Sequence, residues 1–136
     1  MIIADTSGLL AFFNRTEPAH DAVRRIIEAE DQPLVVSPFV AAELDYLVAT
    51  RVGVDAEVAM LKELSGGAWD LACLTQEDLD AATSIVERYG DQDIGLADAS
   101  LVVLAARCHT RRLLTLDRRH FQVVRPLTGG RFKLLP

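Results

Sequence analysis

LVVSPFVAAELDYLVATRVG, residues 34–53, is the stretch on which the fold turns. Leu34 to Ser37 is a short apolar run rich in β-branched side chains, the pattern of a strand. From Phe39 to Val52 the pattern becomes helical, and Gly53 follows where a helix commonly ends on a C′ glycine. A strand that feeds directly into a helix calls for a crossover connection, and crossovers build parallel sheets.

The alternation continues outward in both directions. Toward the amino terminus, Ile2 to Thr6 is a second strand candidate, and Thr16 is placed to cap a helix in which Val23, Ile26 and Ile27 share a face. Toward the carboxyl terminus, Ala56 to Leu64 reads as a helix stopped by Gly66 and Gly67, and Leu71 to Leu74 as a weaker strand. Thr75 caps the next helix, whose stripe of Leu79, Ala82, Val86 and Tyr89 ends at Gly90. Leu96 to Cys108 is a last long helix and Leu113 to Asp117 a fourth strand. The pattern predicts an α/β fold, a mainly parallel sheet with helices on both faces, and leaves the strand order open. No repeat, linker or low-complexity tract interrupts it, so residues 1–136 read as a single domain.

A chain of 136 residues can bury about two-thirds of its unfolded surface without disulfide or metal staples. Any metal would therefore serve chemistry, not folding. Cys73 and Cys108 lie in apolar runs with no CxxC spacing and read as buried, reduced thiols. The apolar start has no basic residues before it and contains Asp5, against a signal peptide. No uncharged apolar stretch reaches the roughly 18 residues of a membrane span, and a cytoplasmic protein is expected.

The net charge of −6 opposes a uniformly basic, nucleic-acid-binding surface. Its distribution does not. From Arg107 to Pro136 there are eight basic residues and one acid, a local charge of +7 against −13 for the remainder. A basic end on an acidic body can hold a polyanion; a solvated cationic surface or a dock for an acidic partner are the alternatives.

Four acids stand out. Asp5 and Asp117 close two strand candidates, at the carboxyl ends where ligands bind in open parallel sheets, although a strand-end aspartate is often only a cap. Glu43 has Phe39, Val40, Tyr46 and Leu47 three and four positions away, and Asp98 has Ile94, Leu101 and Val102, so both are expected among apolar side chains. Glu28, Glu57, Glu63 and Glu87, by contrast, fall on polar faces. Burying an unpaired ion costs several kcal/mol, against a total stability of about 5–15 kcal/mol. Arginine pairing is one remedy, but Arg51, Lys62 and Arg88 fall outside these stretches. A divalent cation is the simpler one, and an all-carboxylate set suits Mg²⁺ or Mn²⁺.

The segments IIADTSGLLAFF, VSPFVAAELDYL, IGLADASLVVLAAR and LLTLDRRHF closely resemble the four acidic motifs of PIN-domain ribonucleases, in particular the VapC-type toxins of bacterial toxin–antitoxin pairs. The likeness covers essentially the whole chain, in order. It implies a three-layer α/β/α sandwich and a Mg²⁺- or Mn²⁺-dependent endoribonuclease whose catalytic, metal-binding acids are Asp5, Glu43, Asp98 and Asp117. Ser7 and Thr115 match hydroxyls often found beside the metal, and read equally well as turn or cap residues. Asp93 is a possible fifth acid, with a loop role as the simpler reading, and His120 is the one histidine positioned to contact substrate. The resemblance further implies attack by metal-activated water, products with 5′-phosphate and 3′-hydroxyl ends, and a target in structured RNA such as a tRNA loop or the sarcin–ricin loop. A homodimer and a cognate VapB-type antitoxin, with a cationic side chain in the acidic groove, complete the expectation. Arg112, Arg118, Arg119 and Arg125 are the RNA-binding candidates. The rival readings are a receiver-like signalling domain, a catalytically silent RNA-binding domain and a DNA nuclease.

Overall fold

Two-residue β1 (Ile3–Ala4) lies at the centre of a five-stranded parallel sheet ordered β3-β2-β1-β4-β5 in the computed structural model, which describes residues 1–136. The outer strands are β2 (Leu34–Val36), β3 (Trp69–Leu71), β4 (Arg112–Leu114) and β5 (Lys133–Leu135). Ile3 pairs with Val35 on one side and Leu113 on the other, and both flanking strands are buried almost throughout. Strands covered on both faces carry continuous apolar runs, which is why Ile2–Ala4 and Leu34–Val36 show no alternation.

From β1 the chain steps outward through α1 (Thr6–Phe13) and α2 (His20–Ala29) to β2, then through α3 (Pro38–Arg51) and α4 (Val54–Leu64) to β3. It returns across the sheet through α5 (Gln76–Arg88) and α6 (Leu96–Arg107) to β4, and through α7 (Arg118–Val123) to β5. Crossovers between parallel strands are right-handed, so this reversal of direction puts α1–α4 on one face and α5–α7 on the other. The three layers follow. The helix packing agrees: α1 meets α2 and α3, α3 meets α4, and α5 meets α6. The reversal falls between β1 and β4, the kind of switch point where an open sheet leaves a crevice.

Two local features seat the elements around that crevice. Gly8 lets α1 lie on β4, because a Cβ there would stand 2.5 Å from the carbonyl oxygen of Leu114. Residues Ala99 to Ala105 of α6 are all buried, so this stretch is enclosed around its whole circumference, with Ser100 its one polar side chain.

The structure corrects several local expectations. α1, α7 and β5 have no counterpart in the sequence pattern. α1 is short and nearly all apolar, α7 has six residues, and β5 gains its strand character from hydrogen bonds to β4. The third strand comes earlier than Leu71–Leu74, at Trp69–Leu71, because Leu34 and Val36 fix its register. Thr16 does not cap α2, whose N-cap is Ala19; its hydroxyl donates instead to Asn14 Oδ1 at 2.7 Å. Thr75 does cap α5, in a reciprocal arrangement with Asp78. Both cysteines are free, but Cys73 is exposed and Cys108 only half-buried, since Cys73 follows the exposed end of edge strand β3. No helix is long and apolar enough to cross a membrane.

Candidate active site

Adjacency of β1 and β4 brings the first and last motifs together. Asp5 immediately follows β1, and its amide donates to the Leu114 carbonyl of β4 at 3.0 Å. Although Asp5 is the N-cap of α1, its side chain makes no cap hydrogen bond. Oδ2 instead accepts from Ser7 Oγ at 2.6 Å and from Thr115 Oγ1 at 2.7 Å. Those hydroxyls accept in turn from the Leu116 and Asp117 amides, each at 2.9 Å. Every hydroxyl proton is thereby committed to Asp5, so the 3.1 Å contact between Ser7 and Thr115 has no proton to share. Ser7 and Thr115 thus both hold the carboxylate of Asp5.

Asp98, on the first turn of α6, faces the same space. Burial, and then the charge of Asp5, push its pKa up to about 6, while His120 and the Gly95 amide pull it down and Asp117 adds to the rise. Asp5 is only 5% exposed, and its pKa is also raised by burial, against the hydroxyls of Ser7 and Thr115 and the amides of Thr6 and Ser7. Asp117 caps α7, Oδ1 accepting from the His120 amide at 3.1 Å. The imidazole Nδ1 of His120 lies 3.1 Å from Asp117 Oδ2 and 3.5 Å from Asp98 Oδ2.

Glu43 departs from its expected setting. The inward side of α3 carries Val40, Leu44 and Val48, whereas Glu43 is exposed and its neighbour Tyr46 is 67% exposed. Apolar neighbours in sequence therefore did not mean an apolar environment. Glu43 reaches the cluster differently, its Oε2 accepting from the buried Thr6 hydroxyl at 2.5 Å. The costly pair is thus Asp5 and Asp98, not Glu43 and Asp98.

Thr6 was not singled out in the sequence, nor were Ser37 and Ser100, whose buried hydroxyls meet at 2.7 Å. Ser100 also bonds the Ala97 carbonyl at 2.6 Å, so its proton is spent and Ser37 is the donor between them. This contact ties the start of α3 to α6, the helices that carry Glu43 and Asp98. The available signal was position: Thr6 between Asp5 and Ser7, Ser37 at a strand end, Ser100 two residues past Asp98.

The remaining candidates divide. Asp93 is exposed, at φ 56° in the turn before α6, consistent with a loop role. Arg118, Arg119 and Arg125 are exposed on or just after α7. Arg112 begins β4 at the opposite end of the sheet and is held by Glu30 at 2.8 Å, apart from the other three arginines.

No lysine or arginine pairs with Asp5, Glu43, Asp98 or Asp117; the ion pairs of those residue types lie elsewhere. No three Asp, Glu, His or Cys side chains already stand together as a complete ligand set. The donors are nevertheless all oxygen, two of them in carboxylates that burial makes reluctant to ionise, which is the chemistry a hard divalent cation fits.

A family model described as the PIN domain matches residues 2–126. The chain belongs to the PIN-domain family. Within it the chain falls among the VapC ribonucleases: it is 58% identical over 135 residues to Ribonuclease VapC26 of Mycobacterium tuberculosis (strain H37Rv), covering 99% of this chain and 100% of that one. The crystal structure of VapC20 from M. tuberculosis, described as a sarcin-ricin loop cleaving toxin, superposes with a TM-score of 0.79 over 87% of this chain and 91% of that one. At 19% identity that likeness is one of fold.

Proposed function

We propose that this chain is a divalent-metal-dependent endoribonuclease, the toxin of a VapBC-type pair, which cuts structured RNA and so inhibits translation. The observation that carries this reading is the acid cluster: burial raises the pKa of Asp5 and Asp98, and no lysine or arginine pairs with either, His120 at 3.5 Å from Asp98 being the one basic group beside them. Asp5, Asp98 and Asp117, with Glu43 linked through Thr6, are the residues that would hold Mg²⁺ or Mn²⁺. When bound, the cation supplies charge to balance the phosphate oxygens and lowers the pKa of a water.

The chain's own residues supply the rest. Ser7 and Thr115 keep Asp5 in one rotamer, which spares reorganisation at the moment of reaction. Asp98, which faces the same space as Asp5 and Asp117, receives the proton of the attacking water. Attack in line on phosphorus breaks the bond to the 3′ oxygen, which takes a proton from solvent and leaves 5′-phosphate and 3′-hydroxyl ends. Arg118, Arg119 and Arg125 neutralise the RNA backbone near Asp117.

A cognate antitoxin and a homodimer complete the proposal. For the antitoxin we assign the groove between α1–α2 and α3–α4. It starts at Ser7 and Leu116 beside the acids, and Leu10, Phe12, Leu47 and Met60 line it, with Arg15 and Arg51 at its edge. Phe12 and Phe13 both line this groove, whereas Trp69, edge to face with Phe12 at 5.4 Å, is buried.

The receiver-like alternative fares worse, because that chemistry wants a lysine beside the strand-end acids. Lys62 lies on α4, and Lys133 pairs with Arg112 at the far end of the sheet.

The deciding experiment is sequencing of RNA 5′ ends after expression of the chain and of Asp5→Asn in bacteria. Discrete cuts by the parent alone are expected; identical profiles from two folded proteins reject the reading. Cuts in a DNA substrate at equal efficiency redirect it to a general nuclease. Separately, Mn²⁺ is expected to raise the melting temperature of the parent more than that of Asp98→Asn.

A further inference from the structure

The strongest unassigned geometry surrounds His120, a residue that the chemistry above does not use. Both oxygens of Asp117 are engaged by this one residue. Oδ1 takes the His120 amide proton at 3.1 Å, and Oδ2 faces the His120 Nδ1 at 3.1 Å. The same Nδ1 lies 3.5 Å from Asp98 Oδ2, on a different helix. The other ring nitrogen, Nε2, is 3.3 Å from Arg119 Nη2.

A guanidinium can only donate, so Nε2 is the acceptor and the ring proton resides on Nδ1. That tautomer is the one able to donate to Asp117, with Asp98 as a secondary acceptor. The side chain is sheltered, only 14% exposed, so the ring is held by packing as well as by hydrogen bonds. A two-point grip from residue i+3 fixes both the side-chain torsion and the tilt of the Asp117 carboxylate. Each carboxylate oxygen has two lone-pair directions, so one remains on Oδ2 for another partner.

We infer that His120 is a positioning residue: its Nδ1–H orients the carboxylates of Asp117 and Asp98 toward each other, and that orientation is what the cluster requires to bind a divalent cation. The inference rests on the metal-dependent nuclease reading. Partners that orient ligating groups generally change metal affinity or activity by about 10–100-fold when removed. Arg119 enters this arrangement by fixing the tautomer, which gives it a role apart from RNA binding.

The test uses the full chain and three substitutions. His120→Asn keeps an N–H donor at the place of Nδ1, His120→Gln moves it to the place of Nε2, and His120→Ala removes it. Mn²⁺ alone is titrated against melting temperature, and cleavage of a defined RNA is resolved into kcat and KM at saturating Mn²⁺. Expected is a Mn²⁺ half-saturation for Asn within about threefold of the parent, and for Gln and Ala weakened by roughly 10–100-fold, with losses in kcat and an unchanged KM. Three variants that all match the parent, or that all fall equally while still folded, overturn the inference. A loss confined to KM also overturns it and makes His120 an RNA contact. If the parent itself fails to cut RNA, or Asp5→Asn cuts as well, the nuclease reading fails, while the Mn²⁺ titration still decides whether His120 sets the carboxylates.

Discussion

The two ends of the parallel sheet treat charge in opposite ways. At the amino end, Glu30 is gripped by the terminal ammonium of Met1 at 3.0 Å and by Arg112 at 2.8 Å. Desolvation pushes the pKa of Glu30 up, but the bonds from the amino terminus and Arg112 outweigh it and the net shift is downward. At the carboxyl end, burial raises Asp5 and Asp98, and no arginine or lysine answers them. Where charge serves only the fold it is paired; where it is left unpaired and buried, the protein gives up stability for a site. The shared β4 makes the contrast sharp, since Arg112 opens the strand and Thr115 follows it.

The largest expected break in this contrast is chemical. Asp5→Asn is expected to cut the rate of RNA cleavage on the order of 10²–10³-fold, the usual scale for removing one preorganised electrostatic group. Its metal-free form should melt no lower than the parent, because the substitution removes a buried charge. A lower melting temperature would show that Asp5 is there for the fold.

Next in size is Glu30→Gln, expected to cost roughly 1 kcal/mol in urea denaturation, since its partners are partly exposed and can be resolvated. Cleavage should be unchanged. A drop in activity with stability intact would join the two ends of the sheet functionally.

The pH dependence of the metal-free protein carries both signatures. Asp98, which faces Asp5, Asp117 and His120, has a folded pKa of about 6, above the ordinary aspartate value of 3.8. The folded state therefore binds that proton more tightly, and stability rises as pH falls through about 6. Glu30 has the opposite sign: its contribution is present above its unfolded value and is lost as pH falls through the lower folded one. Melting in chelator should improve from pH 7.5 toward pH 5 and then decline in stronger acid, roughly as these opposed shifts require. Asp98→Asn should flatten the first limb, and Glu30→Gln the second.

The smallest effect separates the arginines. Arg118→Ala should reduce the slope of log affinity against log salt by about 0.7–0.9, one phosphate contact, measured with RNA in the Asp5→Asn background. Arg112→Ala should leave the slope alone. Equal changes would mean that RNA wraps to the amino end.

Much of the architecture was legible because each element had its own punctuation. Gly53 closes α3, and Thr75 opens α5 with a reciprocal cap. The elements that escaped were those whose stability is non-local: edge strand β5, which forms only on β4, and α1, whose apolar side chains are matched to a sheet through the close approach at Gly8. The candidate acids stood out by position and by resemblance, but their environments were partly misjudged. Sequence neighbours mark Glu43 as buried because α3 is apolar on several sides, and only packing selects the side with Val40, Leu44 and Val48.

The sequence by itself determined the alternation of strands and helices and marked four acids as candidates, because periodicity and strand-end placement are local properties of the chain. The tertiary structure alone decided that β1 lies beside β4. That adjacency sets Asp5 against Thr115, turns Asp117 toward the same space as Asp98 and sends Arg112 to the far end. The physical reason is that burial, pairing and pKa depend on what approaches through space, and contacts between residues more than a hundred positions apart leave no trace in local pattern.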